Sequence, residues 1–432
     1  MSGLSYLEKL LDGVEVEWKP LGKVLERTKG TKITAGQMKE LHKDGAPIKI
    51  FAGGKTIAFV NFDDIPEKNI NRETSIIVKS RGIIEFEYYD KPFSHKNEMW
   101  AYHSNNYAIH IKYIYYFMRV NESYFQKIAS KMQMPQIATP DTDKFKVPIP
   151  CPDNPERSLA IQSEIVRILD AFTALTNELT NELTNELKLR KQQYNYYREQ
   201  LLSFDDGSTK FAYLEKLLDG AEVEWKVLGD VAKKIYSGGT PDTKKTEYWE
   251  GGTFPWMSSG EVNLKTVKET EKYITEAGLN NSSAKLVPKN SVVMALAGQG
   301  KTRGKVARTR IALTTNQSLA ALTFDEKKIN SDYIFYFLET QYESLRQISS
   351  GNSGRGGLNL QMISAYKVPV PCPNNPEKSL AIQSEIVRIL DKFDTLTNSI
   401  SEGLPREIEL RKKQYEHYRN LLFSFPKPVA DN

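Results

Sequence analysis

Between Glu156 and Phe204 apolar residues recur at alternating gaps of four and three, at Ile161, Ile165, Ile168, Phe172, Leu175 and Leu179, in a stretch that is otherwise polar or charged. That spacing predicts a long helix with a coiled-coil seam. A second stretch from Glu377 repeats the seam at Ile382, Ile386, Ile389, Phe393, Leu396 and Ile400, so two rods are expected. In the first, Thr176 to Leu187 reads TNEL three times over, which sets Leu179, Leu183 and Leu187 four apart. Four residues overshoot a helical turn by about 40° and add ~6 Å of rise, so each copy lengthens the rod by one discrete step and walks its apolar stripe around the axis. The second rod has Ser401-Glu402-Gly403-Leu404-Pro405 in that place, and Gly403 with Pro405 predicts a kink or a split. The tails from Leu189 and Leu410 match again, putting Tyr194 and Tyr197 on one face with Leu201, and Tyr415 and Tyr418 with Leu422. Such a stripe suits helix-on-helix packing.

The repetition extends beyond the rods. SYLEKLLDGVEVEWKPLGKV from Ser5 returns as AYLEKLLDGAEVEWKVLGDV from Ala212, an offset of 212 − 5 = 207. KVPIPCP around Cys151 returns as KVPVPCP around Cys372, an offset of 372 − 151 = 221, so the second body is longer by 221 − 207 = 14 residues. Each half therefore has an entry segment ending in EVEWK, a body, an aromatic YIxYF helix at Tyr113 or Tyr333, a proline-rich exit and a rod. The prolines at 148, 150, 369 and 371 exclude helix there and predict rigid hinges into the rods. Almost no letters match between the bodies, whose short β-branched and aromatic runs, such as TSIIVKSRGIIEFEYYDKPFS from Thr74 and SVVMALAG from Ser291, predict mixed α/β domains. Near-identical frames around unlike bodies predict one kind of partner docked twice while each body reads something different.

At 432 residues the chain exceeds what one core serves, and a hydrophobic fraction of 40% with 26% charged residues describes a globular protein with some extended charged helix. The net charge of +5 is compatible with a polyanionic partner without requiring one. The two cysteines occupy twin positions, which argues against a disulfide or metal pair and for small residues buried at a domain edge. No signal peptide or membrane span is read, and cytoplasm is the default compartment.

Catalytic patterns fail one by one. GGKT at Gly53 and GQGKT at Gly298 lack the earlier glycine of a phosphate loop, whose place is held by Lys49 and Ala295. The five histidines show no metal spacing. A nuclease pair could start from Asp141 or Asp242, but no carboxylate-x-Lys follows on a strand. The bodies carry instead basic residues threaded through glycine turns and amides. KTRGKVARTR from Lys301 to Arg310 holds five cations and no acid, between Gln299 and Asn316. Its Lys301, Arg303, Lys305 and Arg308, with Gln299, Asn316, Arg355 and Asn359, form the candidate DNA-contacting set of the second body. Lys55, Lys79, Arg81, Lys96, Gln133 and Gln136 form that of the first. Arginine and lysine reach phosphates or guanine edges and the amides suit adenine edges, so this mixture fits base readout.

The EVEWKxLG entries, KVPxPCP exits, LAIQSEIVRILDxF helices and TNEL tetrapeptides resemble the specificity subunit of a type I restriction–modification enzyme, of the group with TAEL-type spacer repeats. The resemblance implies an α+β chain in which two pseudo-symmetric mixed α/β target-recognition domains are separated by two long antiparallel coiled-coil helices. The expected layout is a first target-recognition domain over 1–150, a spacer helix over 151–204, a second domain over 205–371, and a second helix with its tail over 372–432. It implies a non-catalytic subunit that binds an asymmetric bipartite site in double-stranded DNA and docks two methyltransferase subunits. Through that core it meets restriction subunits. S-adenosylmethionine, ATP and Mg would sit on those partners, with none bound by this chain. Each TNEL would then be a spacing step between half-sites, with Leu179, Leu183 and Leu187 as its markers. A stand-alone nuclease and a coiled-coil protein scaffold are the alternatives.

Overall fold

The computed structural model describes residues 6–54, 56–130, 134–204, 211–298, 302–349, 357–399 and 402–426. The chain divides into two compact units, one of Met1–Glu182 with Ile408–Asn432 and one of Leu183–Glu407. The division cuts across the expected layout. Each unit holds one body, the front of the rod that follows it, and the tail of the other repeat's rod. The first boundary falls inside the TNEL run, after Glu182.

In the first unit β1 (Val16–Pro20) pairs antiparallel with β9 (Lys146–Pro150), and in the second β10 (Val223–Val227) pairs with β20 (Lys367–Pro371). The EVEWK entry and the proline-rich exit are thus two strands of one ribbon, and the expected hinge is a strand. The prolines permit this because they stand two apart, opposite Val16 and Trp18, so both missing N–H groups lie on the ribbon's outer side. The residues between them carry the ladder, which continues where Cys151 N donates to Glu15 O and Cys372 N to Glu222 O, both at 2.8 Å. Both cysteines are half-buried with positive φ, at 48° and 50°, and turn the chain from ribbon to helix.

The bodies share no sequence but share a scheme. The first unit has a sheet ordered β2-β8-β5-β6, built from Glu26–Arg27, Trp100–His103, Ser75–Lys79 and Glu85–Tyr89. The second has β11-β19-β16-β17-β13, from Lys234–Ser237, Leu319–Thr323, Val292–Ala295, Val306–Thr309 and Thr266–Val267. A smaller sheet accompanies each. It is β4-β3-β7 (Ile57–Val60, Ile48–Phe51, Phe93–His95) in the first and β14-β12-β18-β15 (Lys272–Ile274, Phe254–Met257, Leu313–Thr315, Leu286–Val287) in the second. In both, the middle strand pairs antiparallel on one side and parallel on the other, β3 with β7 and β12 with β18.

One helix runs unbroken over Pro155–Leu201, whereas its twin ends at Asn398 and resumes at Leu404, as Gly403 (φ 83°) and Pro405 demand. The buried stripe of the first helix is broader than a two-position seam: Ile161, Gln162, Ile165, Val166 and Leu169 are buried, while Leu175 is exposed. This face packs on the helix's own body, together with the aromatic helix Ile111–Val120. The helix-on-helix contact comes later. In the first unit Phe172 stacks on Tyr418 and Thr173 Oγ1 bonds Tyr415 Oη at 2.9 Å; in the second Phe393 stacks on Tyr197. The tails then bury phenylalanines against the aromatic helices, Phe423 and Phe425 beside Tyr113 and Phe204 beside Tyr333. Leu179, Leu183 and Leu187 are half-buried along the TNEL run.

Candidate nucleic-acid interface

Each aromatic helix is wired to its frame in the same way, and this wiring fixes the body above it. His110 N donates to Gln162 Oε1 at 2.9 Å, and Asn330 N to Gln383 Oε1 at 2.9 Å, so a buried glutamine satisfies the capping residue just ahead of each helix. Tyr113 Oη donates to Pro148 O at 2.8 Å and Tyr333 Oη to Pro369 O at 3.0 Å, tying helix to exit strand. Tyr116 Oη donates to Asp170 and Tyr336 Oη to Asp391, both at 2.6 Å. A cation completes each aspartate: Lys112 at 2.8 Å in the first unit, Arg308 at 2.7 Å in the second.

Arg308 is therefore structural. It is only 7% exposed, lies over the rings of Phe335 and Tyr336, and reaches Asp332 as well as Asp391. Burial works against its charge, but the surrounding Tyr336, Asp332 and Asp391 more than offset that and hold it protonated. Arg310 forms a two-bond pair with Asp332, at 3.0 and 2.7 Å. The end of the basic cluster from Lys301 to Arg310 thus fastens sheet to helix, and no period in the sequence announces that, because β17 is buried along its whole length.

The other described candidates of the second body, Arg303, Lys305, Asn316 and Asn359, gather at one edge of its sheets. The stem of the β16–β17 loop is held by Leu296 N donating to Ser318 O at 2.8 Å and by Leu358 N donating to Leu296 O at 3.0 Å. The first bond brings in the turn at Asn316, whose Oδ1 accepts from Ser318 N at 3.1 Å, and the second brings in Asn359, which caps the following helix through Met362 N at 2.8 Å. Gly239 joins the same edge, its N donating to Thr315 O at 2.9 Å, while Thr240 Oγ1 donates to Gln317 Oε1 at 2.6 Å. A Cβ on Gly239 would lie 2.7 Å from the Ser283 carbonyl carbon and closer still to its Oγ, so only glycine fits there. Lys305 bonds Asn263 Oδ1 at 2.7 Å, and Arg303 is half-buried at the loop base. Gln299, Lys301 and Arg355 lie outside the described residues.

The first body builds the same edge from different letters. The β5–β6 hairpin turns at Gly82, with φ at 76°, and presents exposed Arg81. Gly82 N donates to Pro135 O at 2.9 Å and Ile137 N to Ser80 O at 3.0 Å, with Arg81 bridged to Gln136. Lys96 N donates to Phe51 O as Asn316 N donates to Met257 O, and Thr31 N donates to His95 O as Gly239 N donates to Thr315 O. By hydrogen bonding, Lys96 is thus the counterpart of Asn316 and Thr31 of Gly239. Lys96 also pairs with Glu98 at 2.8 Å. Lys79 stands apart, bound to Glu85 at 3.4 Å and Glu87 at 3.0 Å along the strands. Burial pushes the Glu87 carboxyl up, but Lys49 and Lys79 outweigh it and hold Glu87 below the usual range. Lys55 and Gln133 lie outside the described residues. The residues that sequence reasoning missed, Gln162, Gln383, Asp170 and Asp391, were readable only as repeats in identical places.

Among the described residues no group of three or more His, Cys, Asp and Glu side chains is placed to hold a metal ion. No described helix is long and apolar enough to cross a membrane.

With the twofold frame and the twice-built edge in view, comparison with known proteins is decisive. The family model described as type I restriction modification DNA specificity domain matches twice, over residues 14–189 and 221–410. The chain belongs to the type I restriction–modification specificity subunits. It is 41% identical over 99% of its length, and 99% of the relative's, to the type I restriction enzyme EcoR124I/EcoR124II specificity subunit of Escherichia coli. The EcoprrI specificity subunit of Escherichia coli is 32% identical over 93% of both chains. A solved chain from a study of complex assembly and conformational transition of the type I R-M system covers 94% of this chain and 97% of its own with a TM-score of 0.62 at 15% identity. The HsdS subunit of Thermoanaerobacter tengcongensis covers 94% and 96% with a TM-score of 0.53 at 15% identity. These two likenesses extend the shared fold across the chain.

Proposed function

We propose that this specificity subunit is a non-catalytic adaptor that reads a bipartite, asymmetric site in double-stranded DNA and presents it to two methyltransferase subunits for adenine methylation. Restriction subunits join through that core, and S-adenosylmethionine, ATP and Mg belong to these partners. Its compartment is the cytoplasm. The observation that carries the reading is one edge built twice on unlike sequences. Arg81, Lys96 and Gln136 at the first edge, and Arg303, Lys305, Asn316 and Asn359 at the second, are the described side chains that approach DNA; Lys55, Gln133, Gln299, Lys301 and Arg355 complete the set from outside the described residues. Lys79 and Arg308 hold the scaffold behind them. Different letters on one hydrogen-bonded frame are what two different half-sites require.

The TNEL run acts as the ruler between half-sites, and the passage of the helix from one unit to the other inside that run supports this. One repeat adds ~6 Å of helix, between one and two base pairs of rise at roughly 3.4 Å each. Mapping methylated adenines in a host with and without the chain states both half-sites and the gap at once. Deleting one TNEL should change the gap and neither half-site; altered half-sites with an unchanged gap would sink the ruler.

A further inference from the structure

The face of each long helix opposite its buried stripe is identical in the two repeats although burial does not require it. Ala160, Ser163, Glu164 and Arg167 stand at i, i+3, i+4 and i+7, one face of the helix, and return as Ala381, Ser384, Glu385 and Arg388. Both arginines and both alanines are exposed. Exposed positions do drift elsewhere between the same rods: Asn195, Tyr196 and Glu199 face solvent on the first tail, and their twins are Glu416, His417 and Asn420.

The geometry is duplicated along with the letters. Arg167 Nε and Nη2 both donate to Glu164 at 2.7 Å, and Arg388 Nε and Nη2 to Glu385 at 2.6 Å. Tyr6 Oη donates to Glu164 at 3.0 Å and Tyr213 Oη to Glu385 at 2.9 Å. The two-bond arginine fork, with the tyrosine hydroxyl beside it, holds each glutamate carboxyl down to about 2. Exposed ion pairs add little to stability, so folding does not account for keeping this one twice. What the triad provides is order: a tyrosine ring and a guanidinium fixed side by side on the surface, with the carboxylate already neutralised. Two of the five N–H groups of each guanidinium bind the glutamate, and the side chains of Arg167 and Arg388 are 68% and 52% exposed. Fixed tyrosine and arginine side chains are the types that anchor protein interfaces.

We propose that the Tyr6, Glu164 and Arg167 triad and its twin of Tyr213, Glu385 and Arg388 each anchor one methyltransferase subunit, by way of a carboxylate or carbonyl on that subunit's surface. This rests on the adaptor reading above and names the surface that reading requires. One partner of one kind meets the chain twice, so the surface it meets has to be written twice, whereas a partner touching the bodies would meet unlike residues.

The test uses the full chain produced with its methyltransferase subunit and native mass spectrometry of the assembly. Arg388→Glu should leave one methyltransferase bound, with the second site weakened about 100-fold by like-charge repulsion, and Arg167→Glu combined with Arg388→Glu should leave none. Melting temperatures of the variants, read alongside, should stay within a few degrees of the unaltered chain. Should a charge reversal unfold the protein, Tyr213→Phe decides instead, since it removes only the hydroxyl that holds the triad: weakening of one site about 3-fold or more supports the proposal, and unchanged affinity overturns it. A folded double variant that binds two methyltransferases with unchanged affinity also overturns it, whether or not its DNA affinity falls. If the unaltered chain binds no methyltransferase, the adaptor reading itself fails, which is a different result.

Discussion

Phe172 stacks on Tyr418 with ring centroids 5.5 Å apart and planes 12° apart, and the twins of those residues, Phe393 and Tyr197, meet at 5.4 Å and 26°. In each case the phenylalanine comes from one repeat and the tyrosine from the other. Each unit is thus closed by the opposite repeat's tail, and the two halves of the chain are mutually dependent although each body has its own core. Phe172→Ala is expected to cost the first unit about 2 kcal/mol, from lost burial and lost stacking, and to leave the second unit nearly unchanged; Phe393→Ala should do the reverse. Hydrogen exchange measured separately over Ile111–Val120 and Ser331–Thr340 checks this, and equal loss in both helices for either variant contradicts it.

Arg308 and Lys305 separate scaffold from reader within one cationic run. Arg308→Met leaves Asp332 and Asp391 without their shared cation and should lower stability by roughly 2–3 kcal/mol in urea unfolding, while the methylated motif of any folded protein stays the same. Lys305→Ala should scarcely alter stability but weaken binding to the second half-site and reduce the dependence of log affinity on log salt by about 1. A changed motif in the Arg308 variant would show that the buried cation reads bases after all.

The buried glutamines predict a third effect. Gln383 is fully buried, accepts from Asn330 N at 2.9 Å and donates to Ser379 Oγ at 2.9 Å. Gln383→Leu keeps most of the volume and strands the backbone donor at the head of the aromatic helix, a cost of about 1–3 kcal/mol. Gln162→Leu should do the same in the first unit, where Ala108 O also loses its bond at 2.9 Å. Unfolding midpoints that match the unaltered protein would mean that water reaches those donors.

Much of this architecture was legible because repetition is visible in letters: the two frames, the rods, the break at Gly403 and Pro405, and the tyrosine stripes all follow from periodicity read twice. The bodies were legible only as mixed α/β. Lys96 and Asn316 do equivalent backbone work, yet a strand-end hydrogen bond made by N–H imposes no side chain, so nothing in the sequence aligns them. Arg308 falls in the candidate DNA-contacting set because a charge on a strand carries no sign of what lies over it; its partners Asp332 and Asp391 are 24 and 83 residues further along. The exit strands were hidden by their prolines, which suggest a hinge until the register shows both on the ribbon's outer side.

His95 supplies a pH dependence beside the first reading edge. The ring is 1% exposed, with Nδ1 bonded to Lys96 O at 3.0 Å and Nε2 to Thr28 Oγ1 at 2.8 Å. A carbonyl only accepts, so Nδ1 is the donor, and in the neutral ring Nε2 then accepts from the threonine hydroxyl. Burial lowers its pKa below the ordinary 6.5, outweighing the Lys96 carbonyl and the Glu98 charge, which act in the other direction. Between that lowered value and 6.5 the unfolded chain binds a proton that the folded chain refuses, so this contribution to stability is complete above 6.5 and is lost as the pH falls below it. Because Lys96 N is bonded to Phe51 O in the same turn, the loss is expected to be felt first at the hairpin edge of the first body. Unfolding free energies measured from pH 8 to pH 5 should decline for the unaltered chain, and the decline should be smaller in His95→Gln, which keeps a neutral polar side chain. Equal slopes for the two proteins would remove His95 as the cause.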